Sequence, residues 1–141
     1  MALTSEATAV WNGDLKTGSG TVTLDSSHAG EFPVTWAART TGVPDRTNPE
    51  ELLGAAHAAC FAMQFSSLLA KFGAPPQILN VTAAIGFEAA SGITGSHLTV
   101  TATVNGISDD DFQSIAAEAR TSCPVSRALV GIPITLDASL T

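Results

Sequence analysis

The order of apolar and polar positions predicts strands in the first forty residues. Apolar and β-branched side chains alternate with polar ones over Gly20–Asp25 and, more weakly, over Thr8–Trp11. This alternation is typical of half-buried strands. Turn-forming residues at Asn12–Asp14 and Ser26–Gly30 separate the stretches, and a largely apolar run covers Phe32–Arg39. We therefore predict a meander of three strands that ends at Arg39.

The strongest helical pattern follows and predicts a helix from Pro49 to about Phe72. Asn48 can cap its first turn, and Pro49 suits the first helical position. Glu50 and Glu51 complement the positive end of the helix dipole. Apolar residues fill most of the circumference, which indicates a central helix with few positions facing water. One predicted apolar face follows spacings of four, four and three: Leu52, Ala56, Cys60 and Met63.

Small side chains occupy one stretch of this helix. Gly54 is followed by the alanines Ala55, Ala56, Ala58 and Ala59. A glycine lets another backbone approach closely, because no Cβ atom stands in the way. We therefore expect a partner helix to pack against this stretch.

The second half of the chain predicts a hairpin, two further helices and a last strand. Ile78–Glu88 and Ile93–Val104 alternate as strands, with a turn between them. Ser108 can cap a helix that has three aspartates in its first turn. The inward face of that helix is predicted to be Phe112, Ile115, Ala116 and Ala119. A short helix from Pro124 to about Leu129 and a strand over Ile132–Asp137 complete an α+β chain with antiparallel sheets.

Composition and charge narrow the class of protein. The 141 residues are 45% apolar and 13% charged, which suits a single folded domain over residues 1–141. The net charge of −7 disfavours nucleic acid and anionic membrane surfaces as partners. The chain opens without a basic segment leading into an apolar core, and no unbroken apolar stretch approaches a membrane span. We expect a cytoplasmic protein with no membrane partner.

The two cysteines, Cys60 and Cys123, are the first candidates for chemistry. They are too few for a disulfide scaffold and too far apart for a CxxC motif. On the pattern alone, Cys60 resembles a small buried apolar residue in a helix. Cys123 precedes Pro124 and would cap the short helix, where free amides lower the pKa of a thiol. Cys123 therefore has the clearer local reason to ionise, and Cys60 would need a cation supplied by the fold.

Few cations are available for that role. Arg39 ends the predicted third strand, where the pattern alone indicates a solvent-exposed residue, and Arg46 is the competing candidate. Glu50, on the pattern alone, only complements the helix dipole. His57 lies three residues before Cys60, so a metal pair with Cys123 as a third ligand is conceivable. No fourth ligand follows by spacing, and a lone histidine in such a helix is more often packed or hydrogen-bonded.

Two motifs resemble the signature of the osmotically inducible protein C (OsmC) family. The first is TNPEELLGAAHAACF, from Thr47 to Phe61, and the second is TSCPVS, from Thr121 to Ser126. The resemblance extends from Trp11–Val22 to the closing ITLD segment that begins at Ile134. Its features are those of the OsmC branch rather than of the related organic hydroperoxide resistance proteins.

The resemblance implies an OsmC-like fold in an intertwined homodimer with active sites at the subunit interface. It implies a thiol peroxidase that reduces organic hydroperoxides in defence against oxidative and osmotic stress. Cys60 matches the peroxidatic cysteine and Cys123 the resolving one. Arg39 matches the arginine that holds the thiolate, with Arg46 as the alternative, and Glu50 matches the acid that orients the arginine. No cofactor or metal is implied, and the reductant is an external dithiol, with the lipoyl type suggested by the wider superfamily.

Helix geometry adds a hypothesis about the dimer. Glu50 and Cys60 are ten residues apart, which is about 15 Å along an unbroken helix. One Arg39 could hardly contact both, so the Arg39–Glu50 pair that serves Cys60 is expected to come wholly or partly from the other subunit. That subunit's equivalent helix would pack antiparallel along the small-residue stretch. The apolar lining expected around Cys60 favours bulky apolar hydroperoxides over hydrogen peroxide.

Two other classes of protein compete with the peroxidase. One is a non-catalytic stress or small-molecule binding protein in which the cysteines are structural. The other is a disulfide-exchange enzyme, and the absence of a CxxC partner for either cysteine counts against it.

Overall fold

The computed structural model describes residues 2–141 and confirms an α+β fold. The chain divides into two compact units, the first ending at Leu52 and the second spanning Leu53–Thr141. The expectation of one domain over residues 1–141 stays a prediction.

The first unit contains the predicted three-stranded meander, but its third strand is shorter than predicted. The antiparallel strands β1 (Ala7–Asn12), β2 (Ser19–Leu24) and β3 (Glu31–Val34) pair in that order. The chain then forms helix α1 (Trp36–Thr40). Thr35 explains the change, because its hydroxyl accepts a hydrogen bond from the backbone N–H of Ala38 at 3.1 Å and caps the helix. The prediction that Arg39 ends a strand is therefore wrong.

Helix α2 (Pro49–Phe72) has the predicted bounds. The side-chain oxygen of Asn48 accepts from the backbone N–H of Glu51 at 2.8 Å, as expected of a cap. The predicted apolar face is wrong in part, since Met63 is 73% exposed. The buried positions are Glu50, Gly54, His57, Phe61, Phe65 and Leu69. Apolar residues surround the whole helix, so the pattern fits several faces and only packing selects one.

The backbone that approaches Gly54 belongs to a strand and not to a helix. A Cβ atom at this position would lie 2.9 Å from the carbonyl oxygen of Ala83 in strand β4 (Pro76–Glu88). The expectation of a helix against Gly54 is therefore wrong within this chain. Ala55, Ala56 and Ala59 remain exposed on another side of α2.

The second unit contains the predicted hairpin of β4 and β5 (Gly92–Val104). Helices α3 (Asp109–Ser122) and α4 (Pro124–Ala128) and strand β6 (Ile134–Leu140) follow. Strand β6 starts later than predicted and pairs in parallel with β5, so the expectation of purely antiparallel sheets is wrong for this pair. The two intervening helices carry the chain back before β6 begins, as parallel strands require.

The apolar core of the second unit lies between α2, α3 and the β4–β5–β6 sheet. The ring centroids of Phe61 and Phe65 lie 5.5 Å apart, and those of Phe65 and Phe112 lie 5.2 Å apart. The predicted inward face of α3 is confirmed, since Phe112, Ile115, Ala116 and Ala119 are all buried. Ser108 caps α3 by accepting from the backbone N–H of Asp111 at 3.1 Å.

Candidate active site

The fold of the second unit brings the two cysteines together. The Sγ atoms of Cys60, in the middle of α2, and Cys123, between α3 and α4, lie 3.0 Å apart although 63 positions separate them in the chain. Both are free thiols; Cys60 is half-buried and Cys123 is fully buried. A disulfide needs a separation of about 2.05 Å, so a further approach of roughly 1 Å would join them.

The start of α4 serves Cys60 rather than Cys123. Cys123 occupies the capping position before Pro124, as predicted, but its side chain makes no capping hydrogen bond. The backbone N–H of Val125 instead donates to the Sγ atom of Cys60 at 3.5 Å. The expected support of Cys123 by the free amides of α4 is therefore wrong for the Val125 amide, which contacts Cys60. Sequence spacing could not show it, because the contact depends on how α4 packs against α2.

The surroundings of Cys60 within one chain favour the neutral thiol. Burial raises the pKa of Cys60, and the hydrogen bond with the Cys123 thiol raises it further. The Val125 amide lowers this pKa, but its effect is smaller than either of those two. A thiolate is the reactive form of a cysteine. A positive charge near Cys60 would favour its thiolate.

The first unit contains a well-formed cation and acid pair. The Nη2 atom of Arg39 donates to Oε1 of Glu50 at 2.7 Å, and its Nε atom lies 3.0 and 3.1 Å from the two carboxylate oxygens. Glu50 is 5% exposed, so this carboxylate does more than complement a helix dipole. Arg46 lies on the exposed loop. The acid that the resemblance assigns as orienting group therefore pairs with Arg39 and not with Arg46.

Short contacts fix α1, which carries Arg39, to the start of α2. The side-chain amide of Asn48 donates to the carbonyl oxygen of Ala38 at 3.0 Å. The backbone N–H of Thr47 donates to the carbonyl of Pro33 at 2.9 Å, next to a bridge between Val34 and Thr47. These contacts fix the segments that carry Arg39 and Glu50 against each other.

His57 is buried and hydrogen-bonded on both sides of its ring. Its Nδ1 atom pairs with the Oγ atom of Ser96, and its Nε2 atom with that of Ser126, each at 2.7 Å. Burial lowers the pKa of His57, which favours the neutral ring. Both nitrogens are thus engaged, which fits the expectation of a hydrogen-bonded histidine rather than a metal ligand. Across residues 2–141, no group of three or more His, Cys, Asp or Glu side chains could hold a metal ion.

An apolar cavity lies inside the first unit, and the sequence pattern gave no signal for it. Its volume is about 280 Å³, and Trp11, Trp36 and Leu52 form part of its wall. Arg39 lines the same cavity. The first unit therefore places a guanidinium group beside a space suited to an apolar molecule.

Comparisons with known proteins identify the family of the chain. A family model described as OsmC-like protein matches residues 42–137. The peroxiredoxin OsmC of Escherichia coli strain K12 is 38% identical over 143 residues, which cover 99% of each chain. The chain belongs to the OsmC family. The OsmC peroxiredoxin of Shigella flexneri matches to the same extent.

Solved structures of the OsmC family and its relatives share the fold. An organic hydroperoxide resistance protein from Elizabethkingia anophelis has a TM-score of 0.74 and 28% identity, covering 100% of this chain and 99% of the other. An OsmC-like protein from Mycoplasma pneumoniae has a TM-score of 0.72 and 19% identity over 100% and 99% of the two chains. The predicted family, fold class and cysteine-based peroxidase activity are confirmed.

By length and composition α2 could also cross a membrane, a test that core helices of soluble proteins pass as well.

Proposed function

We propose that this OsmC protein reduces organic hydroperoxides with Cys60 as the peroxidatic and Cys123 as the resolving cysteine. The observation that carries the assignment is the 3.0 Å separation of the two Sγ atoms. Cys60 is the more accessible of the two, which suits the residue that meets the peroxide. Cys123 is fully buried against it, which suits the residue that acts second.

The reaction runs in three balanced steps. The Cys60 thiolate attacks the distal peroxide oxygen; an S–O bond forms, the O–O bond breaks, and the departing alkoxide takes up a proton to become the alcohol. The Cys123 thiol then attacks the Cys60 sulfur, so that an S–S bond forms and the oxygen leaves as water. An external dithiol reduces this disulfide to two thiols and is itself oxidised to a disulfide. No prosthetic group takes part, and we expect a lipoyl-type dithiol as reductant.

The positive charge that Cys60 needs is assigned to Arg39 of a second copy of the chain. Glu50 and Cys60 belong to one unbroken helix, ten residues and about 15 Å apart along its axis. Arg39 donates to the Glu50 carboxylate through both Nε and Nη2, so its guanidinium group is held at the first turn of α2. An arginine cannot lose its charge, so it can hold the thiolate and stabilise the departing alkoxide.

A homodimer supplies this second copy. In one chain the alanine side of α2 is exposed together with Met63, and large apolar residues of the first unit are exposed as well, among them Val10 and Leu15. Monomeric proteins rarely leave large contiguous apolar patches open to water. We infer an intertwined dimer in which the two copies of α2 pack antiparallel.

The substrate class follows from the cavity beside Arg39. Its indole and leucine wall suits the apolar part of an organic hydroperoxide, while the guanidinium group suits the peroxide oxygens. We therefore expect bulky apolar hydroperoxides to react faster than hydrogen peroxide. The expected setting is the cytoplasm, where thiols are kept reduced.

Steady-state peroxide consumption with excess dithiothreitol tests the proposal. Cumene hydroperoxide and hydrogen peroxide are compared for the wild type, Cys60→Ser and Cys123→Ser. Ser66→Ala, on the same helix as Cys60, is the control for a substitution outside the proposed chemistry. Turnover that favours cumene hydroperoxide and disappears in Cys60→Ser is the expected result. No turnover by folded wild type with two titratable thiols would instead favour a binding protein with structural cysteines.

A further inference from the structure

Two side chains of α2 reach the segment around Cys123 from either side of Cys60. His57, three residues before Cys60, bonds to the hydroxyl of Ser126 at 2.7 Å. Gln64, four residues after Cys60, donates from its side-chain amide to the hydroxyl of Ser122 at 2.9 Å. Ser122 directly precedes Cys123, and Ser126 follows it by three positions. Each hydrogen bond thus joins the helix of one cysteine to the segment of the other.

We propose that His57 and Gln64 are positioning residues that hold Cys123 against Cys60 for disulfide closure. The inference rests on the proposed function, because it concerns the second step of that reaction. Neither residue contacts the peroxide in this scheme. Their role is to fix the segment from Ser122 to Ser126, which also carries the Val125 amide that donates to Cys60.

The Cys60 sulfenic acid has two competing fates. Attack by the Cys123 thiol forms the S–S bond, breaks the S–O bond and releases water. Attack by the sulfenate on a second hydroperoxide forms a second S–O bond, breaks the O–O bond and releases another alcohol, which leaves a sulfinic acid. The first fate is intramolecular, so its rate depends on how often Cys123 is correctly placed. Loosening its segment slows the first fate, whereas the second fate needs no contact with Cys123.

The two hydrogen bonds have different surroundings, which keeps the inference testable. The His57–Ser126 bond is buried, and its loss will cost stability as well as placement. The Gln64–Ser122 bond is only partly buried, so its loss should be tolerated by the fold. Ser122 also donates to the carbonyl oxygen of Glu118, within α3. The remaining bond of His57 runs to Ser96 on β5 and does not touch the Cys123 segment.

The test measures how oxidised Cys60 divides between the two fates. Reduced Ser126→Ala, Ser122→Ala and Ser96→Ala are each mixed with increasing cumene hydroperoxide without reductant, and intact mass separates disulfide from sulfinic acid. Ser96→Ala is the matched control, because it removes the other buried hydrogen bond of the same ring. Stopped-flow measurements give the rates of sulfenic acid formation and of disulfide closure.

We expect disulfide closure to slow by about two- to tenfold in Ser126→Ala and Ser122→Ala, as the loss of one hydrogen bond implies. The sulfinic fraction should rise accordingly. Ser96→Ala, and Ser122→Thr with its hydroxyl retained, should keep the wild-type division. Equal division in all variants would overturn the inference, and so would an equal rise in Ser96→Ala. Failure of the proposed function is distinct, since wild type would then form no sulfenic acid or disulfide at all.

Discussion

The two units of the chain bury apolar side chains to very different extents. Among residues 2–52, Ala38 is the one buried apolar side chain, and β1 is exposed along its whole length. The second unit has a continuous core of aromatic and aliphatic residues on α2, α3 and β5. The second unit therefore has an apolar interior of its own, whereas the first unit leaves much of its apolar surface exposed.

The chemistry follows the same division. The two thiols lie in the well-packed unit, where a rigid core can hold them 3.0 Å apart. The Arg39–Glu50 pair lies in the thinly packed unit, next to an apolar cavity. The two sulfur atoms must come within bonding distance to form a disulfide, so it helps that one core holds both cysteines. A cation that activates the thiolate can instead be brought by a second chain, if the exposed surface of the first unit is where the chains meet.

Removing a core side chain from the second unit should have the largest effect on stability. Phe65→Ala is expected to lower the free energy of unfolding by about 3–5 kcal/mol, since the ring is fully buried between Phe61 and Phe112. Phe72→Ala, at the exposed end of the same helix, should cost about 1 kcal/mol or less. Urea unfolding measures both. Equal losses of unfolding free energy would contradict the conclusion that only the inner face of α2 contacts the core.

Mixed dimers test whether the first unit of one chain serves the second unit of another. Arg39→Met alone should slow peroxide reduction by about 10²–10³-fold, the usual effect of losing a group that stabilises developing charge. A heterodimer of an Arg39→Met chain and a Cys60→Ser chain should recover about half of the wild-type rate if Arg39 acts across the interface, because one complete site remains.

The opposite result is equally clear. If Arg39 serves the Cys60 of its own chain, neither site of that heterodimer is complete and no activity returns. Arg46→Met in place of Arg39→Met is the matched control. Alone it should retain the wild-type rate, and paired with the Cys60→Ser chain it should retain about half of that rate, because one Cys60 is missing. Differently tagged subunits, purified as heterodimers, allow this measurement.

Exposed valines in the two units offer a smaller and more local comparison. Val10 on β1 is 58% exposed in one chain and Val130 is 76% exposed. If a second chain covers the first unit, Val10→Thr should weaken the dimer by about 1–2 kcal/mol per copy, whereas Val130→Thr should change it by less than about 0.5 kcal/mol. Sedimentation equilibrium gives both dissociation constants. A larger effect at Val130 would place the interface on the second unit.

Local signals predicted most of the helices correctly. Asn48 and Ser108 are side-chain caps, and a cap acts on the three or four residues that follow it in the sequence. The sequence pattern did not predict helix α1, because its cap, Thr35, lies within the largely apolar run that was assigned to the third strand. The buried face of α2 and the parallel pairing of β6 depend on contacts between distant segments, which no local pattern contains.

The candidate site was predictable in its residues but not in its geometry. The motifs around Cys60 and Cys123 indicate both cysteines, and the resemblance pairs Glu50 with Arg39, with Arg46 as the alternative. That the Val125 amide reaches Cys60 rather than supporting Cys123 follows only from the packing of α4. Ser122 and Ser126 both lie within the second motif. Their partners on α2 lie 58 and 69 positions away, beyond any spacing rule.

The pH dependence of stability tests the burial of His57 and should be the mildest effect. Burial lowers the pKa of His57 below its ordinary value of 6.5, and its two partners are serine hydroxyls that do not titrate. The unfolded chain then binds a proton on this ring at a higher pH than the folded chain. The free energy of unfolding should therefore fall as the pH drops below about 6.5, with a slope from this ring of at most about 1.4 kcal/mol per pH unit.

Urea unfolding between about pH 7.5 and about pH 5.5 measures this slope. His57→Gln keeps an amide that can donate and accept, but it cannot take up a proton in this range, so the slope attributed to His57 should vanish. His97→Gln is the matched control on the surface, where His97 pairs with Asp137 at 3.1 Å, and it should leave that slope in place. An unchanged slope in His57→Gln would mean that the ring is open to water in solution. The segment around Cys123 would then lack the rigid anchor that disulfide closure requires.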